Sequence, residues 1–528
     1  MKIFRILFVL VLIFSNINLF SETKGTQLQR NTYGVFDLQK NQLSNVSFYS
    51  TNYGIYCLNV SLLETQNAGG CYWPWSSVYQ YVFASGFWFG AQKINPATNK
   101  LTKYVVYSLD PESGTGLYVP GRIEDGDTAI TSYKKKYRIY FSFDFNKNTG
   151  TPYISIDGPN WPLWKNTSEK KMPFSSENYN YVNDENNRNI ESNTNGPLFI
   201  SDEDIISVFK DTDLSKYPAG VSESKALGYP LKTEVESHIY TWQEPSELQD
   251  IVVFSFTLRN LSSDTLKNCW FGQVNDIDIA RSPYTAIGAQ NDRIRYCKEK
   301  PDLNLFYGWT GLDKGEQGGD FGYIGFSLLE SPSIDSKGFI KKNKLLFPQK
   351  DQIGLKSARG WVLGNDLKTD SARYQFLSEK KFEEDNGAGD KRMLLSVGSF
   401  NLRPWEECRF AFAMILAMPI NQLKYDGSIA DIATLLQKAQ LIKDEYYKGV
   451  SAIRSEGKLR AASTIQVYPN PAQDYINLEA TGAEFQIYNI NGKSVLSGTD
   501  TGKIDISGLE SGLYLVLSNE KYYKFVKE

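Results

Sequence analysis

At 528 residues, with 41% hydrophobic and 14% aromatic side chains, the chain is long enough for about three domains and a sizeable core. Its 57 basic and 60 acidic residues are interspersed and leave a formal charge of −3, so no basic face marks a nucleic-acid surface. A single histidine, His238, all but excludes His-based triads and His-rich zinc sites, and the 33 Tyr and 30 Phe favour strands over helices.

The N-terminus reads as a secretory signal peptide over residues 1–21. Lys2 and Arg5 precede an unbroken apolar run at 6–14, polar or small residues follow from Ser15, and cleavage is expected near Ser21. The run is too short to cross a bilayer, and the other long apolar stretch, 410–418, is only strand length. No transmembrane segment is therefore expected once the signal is removed. Loss of Lys2 and Arg5 takes the charge from −3 to −5.

Residues 25–245 form a β-rich region. It holds the aromatic block 81–91, whose glycines permit close backbone approach, and strand-like runs at 104–109 and 137–145. Cys57 and Cys71 bracket a Gly-containing loop, and a disulfide closing it would contribute about 3 kcal/mol by the chain-entropy argument. Cys269, Cys297 and Cys408 complete an odd count of five, in which any two of the three can join. From 160 to 195 the composition shifts to Asn, Ser, Glu and Pro with Trp161 and Trp164, which reads as a long surface excursion. With Trp73, Trp75 and Trp88, these tryptophans are candidates for a sugar-stacking platform, although Trp beside Gly and Pro in a β-protein more often packs a core.

Residues 246–450 read as a sandwich-like region. Val252, Phe254, Phe256 and Leu258 alternate with their neighbours, Ser262-Ser263-Asp264 turns the chain and 266–274 returns, as in a hairpin. The runs 393–397 and 408–418 suggest a second pair across Arg403-Pro404-Trp405. One amphipathic helix follows, with Ile432, Leu435, Leu436, Ala439, Ile442 and Tyr446 on one face, Ser428 as its N-cap and Gly449 at its end. Residues 451–463 then read as a polar linker.

The strongest candidate site is acidic. Asp276 and Asp278 at a strand end, Asp292 across a loop, and the Gly-rich stretch 313–320 offer oxygen ligands of the kind calcium takes six to eight of. The spacing is not that of an EF-hand loop, and Asp and Asn are also ordinary turn formers. No nucleophile elbow and no phosphate loop occurs. A glycosidase needs only two carboxylates at the right separation, a test that sequence cannot apply.

Residues 464–528 have their own pattern. Asn491-Gly492 between two apolar-rich runs predicts a type I′ hairpin over 485–496. Ile476 and Leu478 alternate before it, Ile504 and Ile506 after it, and Leu513, Leu515 and Leu517 mark one face of the last long strand, all consistent with a small antiparallel sandwich. The Tyr468-Pro469-Asn470-Pro471 opening, the Ile487-Tyr488-Asn489 run with Asn491-Gly492, the 504–507 strand, Gly512 with Tyr514, and the terminal Lys521, Lys524 and Lys527 resemble the type A C-terminal sorting domain of the type IX secretion system. That resemblance covers about an eighth of the chain. It implies passage across the outer membrane by the type IX machinery, with the cargo released or attached to surface glycolipid. Region 246–450 also resembles uncharacterised secreted β-rich proteins carrying the same tail, a likeness that brings no known activity.

The expectation is therefore a mainly β protein: one or two large β-sandwich-like regions with one late helix, plus a small C-terminal β-sandwich. Its anticipated role is that of an exported extracellular or cell-surface protein, adhesive or structural rather than enzymatic. A glycan-binding module or a carboxylate-based glycoside hydrolase is the alternative.

Overall fold

The computed structural model describes residues 36–63, 68–129, 137–142, 201–281, 289–311, 321–341, 346–384, 387–420, 426–455, 471–478, 484–489, 494–499, 502–518 and 521–528. The expected signal peptide, the expected excursion at 160–195 with Trp161 and Trp164, the 313–320 stretch, Tyr468 to Asn470 and Asn491-Gly492 lie outside these residues. The chain divides into two compact units, one ending at Tyr446 and one running from Tyr447 to the C-terminus.

The first unit is built on two antiparallel sheets. One has eight strands, in the order Leu38–Lys40, Ser47–Thr51, Cys71–Tyr72, Tyr79–Ile94, Leu266–Arg281, Lys391–Leu402 and Leu355–Val362, with Leu101–Tyr107 also paired to Tyr79–Ile94. The other has nine, in the order Asp292–Tyr296, Leu305–Thr310, Tyr323–Glu330, Glu407–Ala417, Ile251–Asn260, Thr233–Thr241, Glu203–Lys210 and Val119–Pro120, with Tyr140–Phe141 also on Glu203–Lys210. Both sheets take strands from either side of residue 245. The boundary expected there does not separate two bodies, because the central partner of Tyr79–Ile94 is Leu266–Arg281.

One core fills the space between the sheets. Phe271 of the first sheet stacks on Phe410 of the second with ring centroids 4.2 Å apart, and Phe87 stacks on Phe271 at 5.1 Å. Tyr79–Ile94 is buried on both faces over most of its length, which explains why its aromatic block does not alternate in polarity. Its outer face lies under the helix Asp370–Ser378. There Gly272 on the neighbouring strand is required by contact, since a Cβ would fall 2.7 Å from a methyl of Leu377 and 2.6 Å from one of Leu394.

The expected hairpins are arches. Leu258 pairs with Val235 and Cys408 in the second sheet, whereas Leu266 pairs with Leu402 in the first. The turn at Ser262-Ser263-Asp264 thus carries the chain from sheet to sheet, and Arg403-Pro404-Trp405 carries it back. Alternation of polarity is the same for a hairpin and an arch, so pattern alone does not distinguish them. Asn260 staples both crossings: its buried amide donates to the carbonyls of Asp264 (2.8 Å), Leu402 (3.2 Å) and Arg403 (3.1 Å).

The late helix spans Ala433–Ser455, so it passes through Gly449 and takes in the first five residues expected to be linker. Ile432, Leu435, Ala439 and Ile442 pack on the outer face of the second sheet against Val253, Ala411, Ala413 and Ile415. The small alanines let the helix approach the sheet closely. Ser428 caps the turn that precedes the helix, its hydroxyl accepting from the Asp431 amide at 3.4 Å.

In the second unit, Glu484–Asn489 pairs with Ser494–Thr499 as the hairpin reading requires, and Glu484–Asn489 also pairs with Gly512–Ser518. Ile504 pairs with Ile476 in a separate two-stranded sheet. Tyr514 and Val516 of Gly512–Ser518 are buried in this unit's core, and Leu517 is half-buried. The last strand, Lys521–Lys527, carries the backbone of Lys524 opposite Leu515. Its outer edge is closed by Ala472, whose amide donates to Val526 at 2.8 Å and whose carbonyl accepts from Glu528 at 2.9 Å.

Candidate metal centre

Leu266–Arg281 places alternate residues on its outer face, so Trp270, Gly272, Asp276 and Asp278 share a side. Asp276 and Asp278 lie within the strand rather than in a turn. Pairing with Tyr79–Ile94 is interrupted between Asp276 and Ile277 and again between Ile277 and Ala280. These bulges turn the strand end toward the edge of the second sheet. There the Ile279 amide donates to Asp292 Oδ2 at 3.0 Å, bringing the third expected carboxylate to the other two.

Two residues from the neighbouring strand complete the cluster. Asp276 lies opposite Arg392 in the ladder, and Asp390 stands just before that strand begins. One carboxylate oxygen from each of Asp276, Asp278 and Asp390 lies within 4.8 Å of the others. Two oxygens across a single calcium ion are separated by at most about 5 Å, twice the metal–oxygen distance, so the three fit one ion. Arg392 contacts Asp276 Oδ2 at 3.3 Å, Asp390 Oδ1 at 2.6 Å and Asp366 Oδ1 at 3.4 Å. Gln80 Nε2 reaches Asp278 Oδ2 at 3.4 Å.

Burial and mutual repulsion disfavour the ionised form of these carboxyls. Burial pushes the Asp276 carboxyl up to about 8 against the pull of Arg392. Burial first, and the neighbouring carboxylates second, hold Asp278 well above the usual carboxylate range. Asp292 is likewise raised, burial and nearby Asp278 outweighing the Ile279 amide. Asp276 Oδ1 and Asp292 Oδ1, on side chains 3% and 0% exposed, have no hydrogen-bond partner among the described residues. Buried carboxylate oxygens are ordinarily satisfied, and a cation would satisfy these.

The other expected sites fare differently. Cys57 and Cys71 are buried free thiols that the structure brings into contact, and burial with the Cys71 neighbour raises the Cys57 thiol well above its ordinary range. Cys269 and Cys408 come from opposite sheets into the same core. Trp73 and Trp88 do not form a sugar platform: both are buried, with indole N–H groups donating to Asp250 (2.6 Å) and the Leu109 carbonyl (2.8 Å). Trp75 is half-buried beneath Lys40. His238 is a core residue bonded to Glu236 at 2.9 Å. Of the tail residues, Pro471 is exposed and Tyr514 is buried against Phe525.

Residues 466–528 match the family model for a secretion system C-terminal sorting domain. The tail is a type IX sorting domain. It directs the chain to the secretion machinery and to the cell surface or extracellular space. Upstream of the sorting domain, similarity is thin. No curated protein sequence matches the chain. Among solved structures, a polysaccharide lyase aligns at 9% identity and TM-score 0.17 over 56% of this chain and 34% of its own. A Synechocystis protein aligns at 6% and 0.20, over 62% and 95%, and a putative aldose 1-epimerase from Escherichia coli at 10% and 0.17, over 60% and 96%. Among the described residues no helix is long and apolar enough to cross a membrane.

Proposed function

We propose that the cargo carried by the sorting domain is an adhesive or structural β-protein of the cell surface or extracellular space, braced by a calcium ion held by Asp276, Asp278 and Asp390 with Asp292 beside them. The observation that carries the reading is the pair of orphaned, buried oxygens on Asp276 and Asp292 beside a three-carboxylate cluster of calcium dimensions. The ion would tie the end of Leu266–Arg281 in the first sheet to the edge strand Asp292–Tyr296 of the second, a structural rather than catalytic position. Arg392 supplies one positive charge to a cluster of carboxylates, and calcium supplies the balance.

The reading also favours an oxidised Cys57–Cys71 pair in the exported protein, because the thiols already touch and the extracellular compartment is oxidising. Thermal melting in chelator and in millimolar calcium tests the metal site. Calcium is expected to raise the melting temperature of the wild type and to leave Asp390→Asn unmoved. Equal melting temperatures for the wild type in both conditions would retire the site.

A further inference from the structure

A second feature lies on the same two strands, roughly 20 Å from the acidic cluster, since six residues separate Trp270 from Asp276 at about 3.3 Å each. It is a half-open pocket of about 420 Å³ lined by Trp270, Ile334, Ile353, Lys356, Lys380 and Ser399, with Asp351, Gln352 and Gly398 completing the wall.

Two irregularities of the first sheet build it. The pairing of Leu355–Val362 with Lys391–Leu402 skips Lys356 between Leu355 and Ser357. The pairing of Lys391–Leu402 with Leu266–Arg281 skips Ser399 between Gly398 and Phe400. A bulge leaves its extra residue unpaired and re-aims the side chain. Here both extra residues face one cavity.

The chemistry of the lining is one-sided. Lys356 and Lys380 make no ion pair among the described residues, and Ser399 is exposed. Burial, and then the Lys380 charge, pull the Lys356 ammonium below its ordinary range, as expected of two cations close to one another. Gln352 is spent on the fold, accepting from the Ser331 amide at 2.8 Å and donating to the Phe347 carbonyl at 2.7 Å. Asp351 is the one carboxylate in the wall, so the pocket has a net charge of +1 from two lysines and one aspartate. Trp270, Ile334 and Ile353 supply an apolar wall.

We infer that this pocket binds an anionic group, a carboxylate or a sulfate ester, carried on a ring such as that of an acidic saccharide. The two ammonium groups and the Ser399 hydroxyl hold the anion, and the apolar wall takes a ring face. The inference is independent of the calcium site, which shares the strands but none of the residues.

Calorimetric titration of the full-length protein with glucuronate, glucose 6-sulfate and glucose tests it. Saturable binding of either anion, weakened about tenfold or more by Lys356→Gln and by Lys380→Gln, is the expected result. Binding of glucuronate alone assigns a carboxylate, and binding of the sulfate alone assigns a sulfate ester. Neither anion binding better than glucose, or undiminished anion binding in both variants with wild-type melting profiles, would overturn the inference.

Discussion

Single side chains do much of the positioning in this molecule. Asn260 is buried at the point where two inter-sheet arches meet, and its amide satisfies three carbonyls while its oxygen accepts from the Ser262 amide and hydroxyl. Truncation strands the buried Leu402 carbonyl and the Ser262 amide and hydroxyl, so Asn260→Ala is expected to lower the unfolding free energy by about 2–3 kcal/mol, read by urea denaturation. Glu236 is a second such residue. Burial alone would raise its carboxyl, but Arg259, His238 and Arg122 hold it down to about 2, with Glu234 and Glu407 sharing the guanidinium groups. A depressed folded-state value gives stability that is complete above the ordinary carboxylate range and is lost as pH falls toward 2. A fall from 4.5 to about 2 corresponds to about 3 kcal/mol. The measurement is unfolding free energy between pH 5 and pH 2. The wild type should fall steeply across that window, and Glu236→Gln should follow a flatter curve.

At the scale of elements, what the sequence revealed depended on how local the signal was. The tail hairpin was legible because its two paired strands, Glu484–Asn489 and Ser494–Thr499, are adjacent in the chain. The late helix was legible from Ile432, Leu435, Ala439 and Ile442, although it runs past Gly449, where a glycine within a helix marks no stop. The arches were not legible. Strands 251–260 and 266–281 alternate as hairpin strands do, and only the distant partners Cys408 and Leu402 assign them to different sheets. Asp276, Asp278 and Asp292 could be picked out as nearby acids, but Asp390 and Arg392 join them through a ladder register more than a hundred residues away in the chain. The lysine pocket left no signal at all, since a bulge has no sequence signature at Lys356 or Ser399. The disulfide expected to close the loop between Cys57 and Cys71 is read by counting thiols. Thiol titration of the unfolded exported protein is expected to find at most three reactive thiols of the five in the sequence, and reduction is expected to cost about 3 kcal/mol of stability. All five thiols reacting without reductant would contradict the pairing.

The whole molecule separates address from task. The sorting domain is a compact unit with its own core of Ile476, Ile487, Ile504, Val516 and Phe525, distinct from the two-sheet cargo. The cargo is one sandwich in which each sheet joins a block of early strands to a block of late ones, so its stability depends on both halves of the cargo, and the acidic cluster sits where the two sheets come together at one edge. A calcium ion there would join them outside the cell, where the ion is abundant, in keeping with an adhesive or structural role. The most direct test is calorimetric titration of calcium into the chelator-stripped, full-length protein. The account predicts one saturable site per chain, lost in an Asp278→Asn, Asp390→Asn double variant that still melts cooperatively; no saturable heat in the wild type, or undiminished binding in the variant, would contradict it.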